Sequence, residues 1–458
     1  MMNKIVYIVH AVDTEGPLFE SLEATFQRIN ELFDVQLEAS EEILKKIRNK
    51  EINLGGKEDL VRDIISQGKI SCLGSWEKID SMLVQITSKE FRFQTPDSFG
   101  GGWVYSWFCL DHVGFTGINP RMRDLGYHKV QDHYREFLSY RKESRDLIQW
   151  HYHALSLTND AHRAGSTYLN SDHIYNILTR KVIERRWFPA AFRPGHHTER
   201  PDSHFFLEQW IPFDFGNDAT REEKTKPNLS LARYGDWRRA SRSWIPYHPA
   251  HDDYQTPGEC RRWIARCLPI NERGYQISYQ DVLQAAEEAS RHGTSILAVT
   301  DHDFRNMQPD VEKMMGLISK CSREYDGILF KYADAIEAMR AVLNLNDLSA
   351  PDFHIEIKPF KNHSRLIVKC SNSIFGPQPF LALKTKDKSY YWQNFDFEST
   401  NEWSYSFDSS NLHLEHVDSI GIAANTPSGV TEVVTLDVQS GKQEKNIYNQ
   451  DLTEVKIT

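Results

Sequence analysis

Two short motifs carry the chemistry most visible in the chain. Asp13 and Glu15 stand two apart in Asp13-Thr14-Glu15-Gly16, directly after an apolar run over residues 4–12. His151 and His153 stand two apart in His151-Tyr152-His153, closing an apolar run that begins at Leu147. Side chains at i and i+2 of a strand share one face, so each motif can aim both of its groups into one pocket. Neutral imidazole is the commonest protein ligand for metals. Two imidazoles and one carboxylate, with a position left for water or substrate, make the donor set of a hydrolytic zinc site. The expected cofactor is therefore a divalent cation, Zn2+ foremost, with one carboxylate as ligand and the other as general base. His162 and His173 follow closely enough to replace one of the His pair. The plain alternative for either motif is a strand whose polar residues face solvent.

Three further places can complete such a site. Arg193 lies in Phe192-Arg193-Pro194-Gly195-His196-His197. A buried Arg at a strand end can grip a catalytic Asp bidentately and keep it ionised. Gly195 would let the backbone pass close to substrate, and His196 would supply a further polar contact. His302 lies between Asp301 and Asp303 at the end of an apolar run. Flanking carboxylates raise a histidine's proton affinity, which suits general-acid work near neutral pH. Trp244, Tyr247 and His248 sit in a dense polar-aromatic loop that also holds His251, Asp252 and Asp253. That loop reads equally as a sugar subsite or as packing. The glycine run at 100–102 lacks the Walker lysine and the dinucleotide spacing, and HExxH is missing. No GxSxG signals a serine nucleophile.

These residues need a scaffold that brings distant strand ends together. Apolar runs at 4–12, 104–110, 147–153, 190–193, 210–215 and 294–300 predict strands. Helical patterns at 129–142, 171–186, 278–292 and 311–325 fall between or after them. Such alternation predicts a parallel α/β fold. Polar residues cluster where successive strands end: Asp13/Glu15, Asp111/His112, His151/His153, Arg193 and Asp301/His302. The C-terminal face of an α/β barrel is where active sites lie. A charge-rich helical insertion at about 20–90 reads as scaffold or lid. After Asn346 the texture changes. Residues 347–352 read as a linker, and short alternating runs beyond it predict an antiparallel β-sandwich of about 100 residues. The expected domains are thus 1–346 and 347–458.

Composition narrows the function classes. A chain of 458 residues exceeds one ordinary core. A net charge of -10 argues against a nucleic-acid partner, which needs a basic footprint. Aromatics make up 12% of the residues, with 11 Trp, which fits either sugar binding or a Trp-rich core. Six cysteines form no CxxC pair, so free thiols in a reducing compartment are expected. The first residues lack the pattern of a signal peptide. No run approaches the roughly 20 apolar residues of a membrane span. A cytoplasmic location follows as the expectation, and the oligomeric state stays open.

The order of motifs resembles the polysaccharide deacetylase superfamily (NodB homology, carbohydrate esterase family 4), over roughly residues 4–330. The likeness is nearest to its divergent WbmS-like branch, encoded with O-antigen and capsule synthesis. It implies an incomplete (β/α) barrel, usually of seven strands. It further implies removal of an N-acetyl group from a sugar or glycan precursor. Asp13 would be the base, Glu15 with His151 and His153 the metal ligands, Arg193 the partner of Asp13, and His302 the acid. Two departures stand out: Glu15 replaces the family's usual Asp, and the His pair is HxH where three residues usually intervene. A small-amide metal hydrolase and a non-catalytic glycan-binding protein are the alternatives.

Overall fold

The computed structural model describes residues 4–19, 21–65, 72–114, 126–141, 144–159, 163–220, 235–271 and 275–450. Its central strand is β1 (Lys4–Thr14), buried from Val6 onward. A strand covered on both faces reads as a continuous apolar run, as Ile5, Val6, Ile8, Val9, Ala11 and Val12 do. Along one side β1 pairs in parallel with β7 (Thr294–His302). Along the other it serves two partners in succession. Residues 4–9 pair with β8 (Ile328–Ala333), and residues 10–14 with β2 (Tyr105–Leu110). From β2 the ring continues through β3 (Leu147–Tyr152), β4 (Ala191–Pro194), β5 (Phe213–Asn217) and β6 (Trp263–Pro269) back to β7.

All ring pairings are parallel. Seven strands therefore close into a barrel. The expected incomplete barrel is short of strands but not open, because β1 is long enough to bond β8 and β2 in turn. Two strands escaped the sequence reading. In β6 the buried Arg266 interrupts the apolar run; its guanidinium donates to Ala219 O at 2.8 Å and Arg242 O at 2.9 Å. In β8 every second residue is only half-buried at first. Trp210, expected in a strand, instead ends a helix, α8 below.

Residues 20–90 hold α1 (Leu22–Phe33), α2 (Glu41–Arg48), α3 (Glu58–Ile64), α4 (Trp76–Ile86) and α5 (Lys89–Arg92). The side chains of Ser21 and Ser40 cap α1 and α2. These two helices and α3 share a small core of Phe26, Ile29, Leu44, Ile47 and Val61. By contrast, α4 packs Ile79, Leu83 and Ile86 into the main core. Around the barrel lie α6 (Lys129–Ser139), α7 (His173–Arg185), α8 (His204–Trp210), α9 (Tyr279–His292), α10 (Gln308–Glu324) and α11 (Ala335–Leu343). A Ser278/Asp281 capping box starts α9, and Gly293 at φ 89° ends it.

Beyond α11 the described residues form nine antiparallel strands: β9 (Phe353–Phe360), β10 (His363–Cys370), β11 (Phe380–Thr385), β12 (Tyr390–Gln393), β13 (Asp396–Ser399), β14 (Glu402–Phe407), β15 (Val417–Asn425), β16 (Thr431–Asp437) and β17 (Gln443–Tyr448). They form a four-stranded sheet, β13-β14-β10-β9, and a five-stranded sheet, β12-β11-β15-β16-β17. Leu366, Trp403, Leu383, Ile420 and Val434 join the two sheets in one core. The opposite face of the five-stranded sheet is also buried. Phe380, Ala382, Ala423 and Val433 pack with Ile174, Ile177 and Val182 of α7 and with Trp210. Trp392 stacks on Tyr175 with ring centroids 4.4 Å apart. Trp403 thus fills a core, and Trp392 an internal contact with the barrel's helix. Among the described residues, no helix is long and apolar enough to cross a membrane.

Candidate metal centre

The ends of β1, β3, β4 and β7 meet at one mouth of the barrel. Asp13 stands level with His302 across the β1–β7 pair, and His151 level with Arg193 across β3–β4. Just past β1 the chain turns at Gly16, which has φ 77°, a conformation that favours glycine. Asp303 holds that turn. Its Oδ1 accepts the N–H of Glu15 at 2.8 Å, and its Oδ2 accepts that of Gly16 at 3.0 Å and the Tyr134 hydroxyl at 3.0 Å. His112 Nε2 meets Glu15 O at 2.8 Å from the other side. The backbone of Glu15 is thus fixed before its carboxylate is placed.

Three buried donors converge there. Glu15 Oε1 lies 3.7 Å from His151 Nε2 and 3.6 Å from His153 Nε2. The two Nε2 atoms are 3.1 Å apart. Ligand atoms about 2.0–2.2 Å from a zinc ion, at tetrahedral angles, lie roughly 3.3–3.6 Å from each other. The three donors therefore fit one first-row divalent ion. His151 Nδ1 faces Arg193 O at 2.9 Å, and donating there leaves Nε2 free to accept or ligate.

Electrostatics agree with the geometry. Burial acts to raise the Glu15 pKa. The neighbouring His151 and then His153 imidazoles outweigh it and hold the carboxyl well below the usual range. For His151, burial disfavours the charged ring, but the charges of Asp13 and Glu15 prevail and raise its pKa. An ionised carboxylate facing two imidazole Nε2 atoms at 3.6 and 3.7 Å is a place where a cation can sit.

Asp13 is held differently. Arg193 Nε donates to its Oδ1 at 2.5 Å and Nη2 to its Oδ2 at 2.8 Å. Arg193 Nη1 also donates to Phe215 O at 2.6 Å. Burial works to raise the Asp13 pKa, yet Arg193 and then His151 keep it far below the usual carboxylate range.

His302 Nε2 lies 3.9 Å from Asp13 Oδ2 and 3.8 Å from Glu15 Oε1. The expected raised proton affinity is corrected: burial pushes its pKa down to about 3, against the pull of Asp13 and Glu15. Its sequence neighbours bond backbone groups. Asp301 bonds the backbone N–H of His302 at 2.8 Å, and Asp303 is occupied by the Glu15–Gly16 turn.

The remaining expected residues divide. His196 sits beside the centre, its ring 4.6 Å from that of His153. His196 and His197 both have left-handed backbone, φ 53° and 50°, a conformation held by Gly235 N–H on His196 O at 2.9 Å and Trp237 Nε1 on His197 O at 2.8 Å. Gly195 packs tightly on the His153 ring: a Cβ there would lie 1.9 Å from His153 Cδ2.

Trp244, Tyr247 and His248 do not reach the mouth. They pack at the opposite end of the barrel, where β6 and β7 begin. Trp244 O accepts the N–H of Ile296 at 2.9 Å, and its buried ring lies 4.3 Å from the Arg266 guanidinium. Tyr247 bridges to Ile264 and donates its hydroxyl to Tyr254 O at 2.7 Å. His248 rests on Trp263, ring centroids 3.4 Å apart. In place of the expected sugar subsite, these three side chains pack the far end of the barrel.

His162 falls outside the described residues. His173 opens α7 against Gly114 and is not part of the donor cluster. Asp303, Tyr134 and His112 were not singled out as site residues. The first two act through backbone and hydroxyl bonds that no spacing reveals; His112 had only its place at a strand end. Comparison of the sequence with protein-family models gives no match, and comparison with curated proteins gives no significant one.

Proposed function

We propose that this chain is a metal-dependent N-deacetylase of the polysaccharide deacetylase (NodB-homology) type, acting in the cytoplasm on an N-acetylated sugar or glycan precursor. The observation that carries the reading is the Glu15–His151–His153 triangle lying beside an Arg193-held Asp13 and His302 at one barrel mouth. Zn2+ suits the oxygen and nitrogen donors and their spacing. When bound, such an ion polarises the acetyl carbonyl and makes water more acidic.

The chain's own groups then manage one proton. Asp13 accepts it from the attacking water as the C–O bond forms. Because Arg193 keeps Asp13 a weak base, the carboxyl readily gives that proton up. Neutral His302, 3.9 Å away, receives it and delivers it to the nitrogen as the C–N bond breaks. Acetic acid and the amino sugar leave, the acid's proton passing to the freed amine to give acetate and an ammonium sugar, and both residues return to their starting states. His196, next to His153, is the nearest candidate for a substrate contact.

The test is acetate release from N-acetylhexosamine oligomers and nucleotide-linked N-acetylhexosamines, with the protein stripped of metal and then reloaded. Activity should require reloading. Asp13→Asn and His302→Gln should each lower kcat by about 10²–10⁴-fold, the usual share of a general acid or base. Unchanged acetate release in Asp13→Asn would refute the assignment.

A further inference from the structure

A second group of metal-type donors lies at the barrel's other end, away from the candidate catalytic mouth. Glu208 comes from α8. His251 and Cys260 flank a short loop that ends three residues before β6. His251 Nδ1 is 3.2 Å from Glu208 Oε2 and 3.4 Å from Cys260 Sγ. The donor atoms of all three lie within 4.8 Å of one another. Around zinc, with S at about 2.3 Å and N or O at about 2.0–2.2 Å, neighbouring donors fall roughly 3.3–3.6 Å apart.

The surroundings hold these donors in place. The loop is closed by Cys260 N–H to Pro249 O at 2.9 Å, Gly258 N–H to His248 O at 2.7 Å and Ala250 N–H to Thr256 O at 2.7 Å. Gly258 lets the two arms touch, since a Cβ there would lie 2.4 Å from Ala250 Cα. Arg261 N–H donates to Glu208 Oε1 at 3.1 Å, which leaves Oε2 toward the cluster. His204 Nδ1 stands 3.9 Å behind the sulfur and is engaged by Arg262 Nη2 at 3.1 Å. Three donors remain, with an open side where the His251 side chain is 65% exposed.

We propose that Glu208, His251 and Cys260 form a second, structural site for a thiophilic divalent metal such as Zn2+, one that ties the 250–260 loop to α8. Binding exchanges one proton for the ion: Cys–SH + M2+ gives Cys–S–M+ and H+, with water free to fill the fourth position. Without metal, burial and then the Glu208 charge push the Cys260 thiol up to about 12, so the proton stays on sulfur. A coordinated ion removes that barrier. The catalytic proposal plays no part here, since no cysteine contributes to the Glu15 centre.

Co2+ titrated into the stripped full-length chain gives a direct readout. A thiolate-to-cobalt charge-transfer band in the near ultraviolet reports sulfur ligation alone. Wild type should develop that band to saturation, and Cys260→Ser should lack it. His251→Ala alters an exposed side chain and serves if the Cys260 variant misfolds. It should weaken the Co2+ affinity of the band by about tenfold or more. A wild-type chain with no thiolate band overturns the proposal. So does a band that survives Cys260→Ser, or one that His251→Ala leaves at full affinity.

Discussion

At the scale of single residues, the centre depends on two contacts that give sharp expectations. Gly195→Ala would place a methyl 1.9 Å from the His153 ring. The ring must move, so metal affinity at the Glu15 centre should fall about 10–100-fold, the usual cost of disturbing a ligand's support. Competition with a zinc chelator measures this; unchanged affinity would show that His153 is not a ligand. Arg193→Met leaves Asp13 buried with no cation against it. Breaking a buried pair from one side costs about 3–5 kcal/mol, to be read from denaturant unfolding. A loss under about 1 kcal/mol, typical of exposed pairs, would mean the pair carries little of the fold.

Elements explain what could be read in advance. The donors' order along the chain was legible because each sits at the end of an apolar run, and i, i+2 spacing fixes a shared face. The strands at β6 and β8 were hidden, one by the buried Arg266 and the other by half-buried alternating residues. The loop of Trp244, Tyr247 and His248 misled for a different reason. Its composition suits sugar binding, but its position at the start of β6 is set by backbone pairing with Ile264, which composition does not encode. Asp303 acts on the backbone of Glu15 from 288 positions away, a role that its place beside His302 does not reveal.

Element capping also yields a pH expectation. Asp334 starts α11, its Oδ1 accepting the N–H of Ile336 at 2.8 Å and of Glu337 at 2.9 Å. Burial, then the charge of Glu337, pushes its carboxyl up to about 6 from 3.8. The folded chain therefore binds this proton more tightly than the unfolded chain. The group's stabilising contribution is complete below pH 3.8 and is lost as pH rises through about 6. Asp334→Asn cannot titrate. Wild type should gain stability over the variant as pH falls across that window, seen in urea midpoints at stepped pH. Parallel profiles for the two chains would contradict the assignment.

At the scale of the whole molecule, the sandwich is fastened to the barrel by more than a linker. Its five-stranded sheet is apolar on both faces, one toward its partner sheet and one toward α7. Asn425 bridges the joint, Nδ2 donating to Pro189 O at 2.8 Å and Trp210 O at 2.7 Å. Asn425→Leu strands two buried carbonyls and should cost about 2–4 kcal/mol. Calorimetry of the wild type should show one transition for barrel and sandwich together; two separated transitions would make them independent units. The proposed chemistry turns on an ion at the barrel mouth. Its most direct test is the equilibrium metal content of the stripped and Zn2+-reloaded chain, wild type against the His151→Ala/His153→Ala double variant. The variant should hold one zinc fewer per chain while keeping its fold. Equal zinc content in the two chains would contradict it.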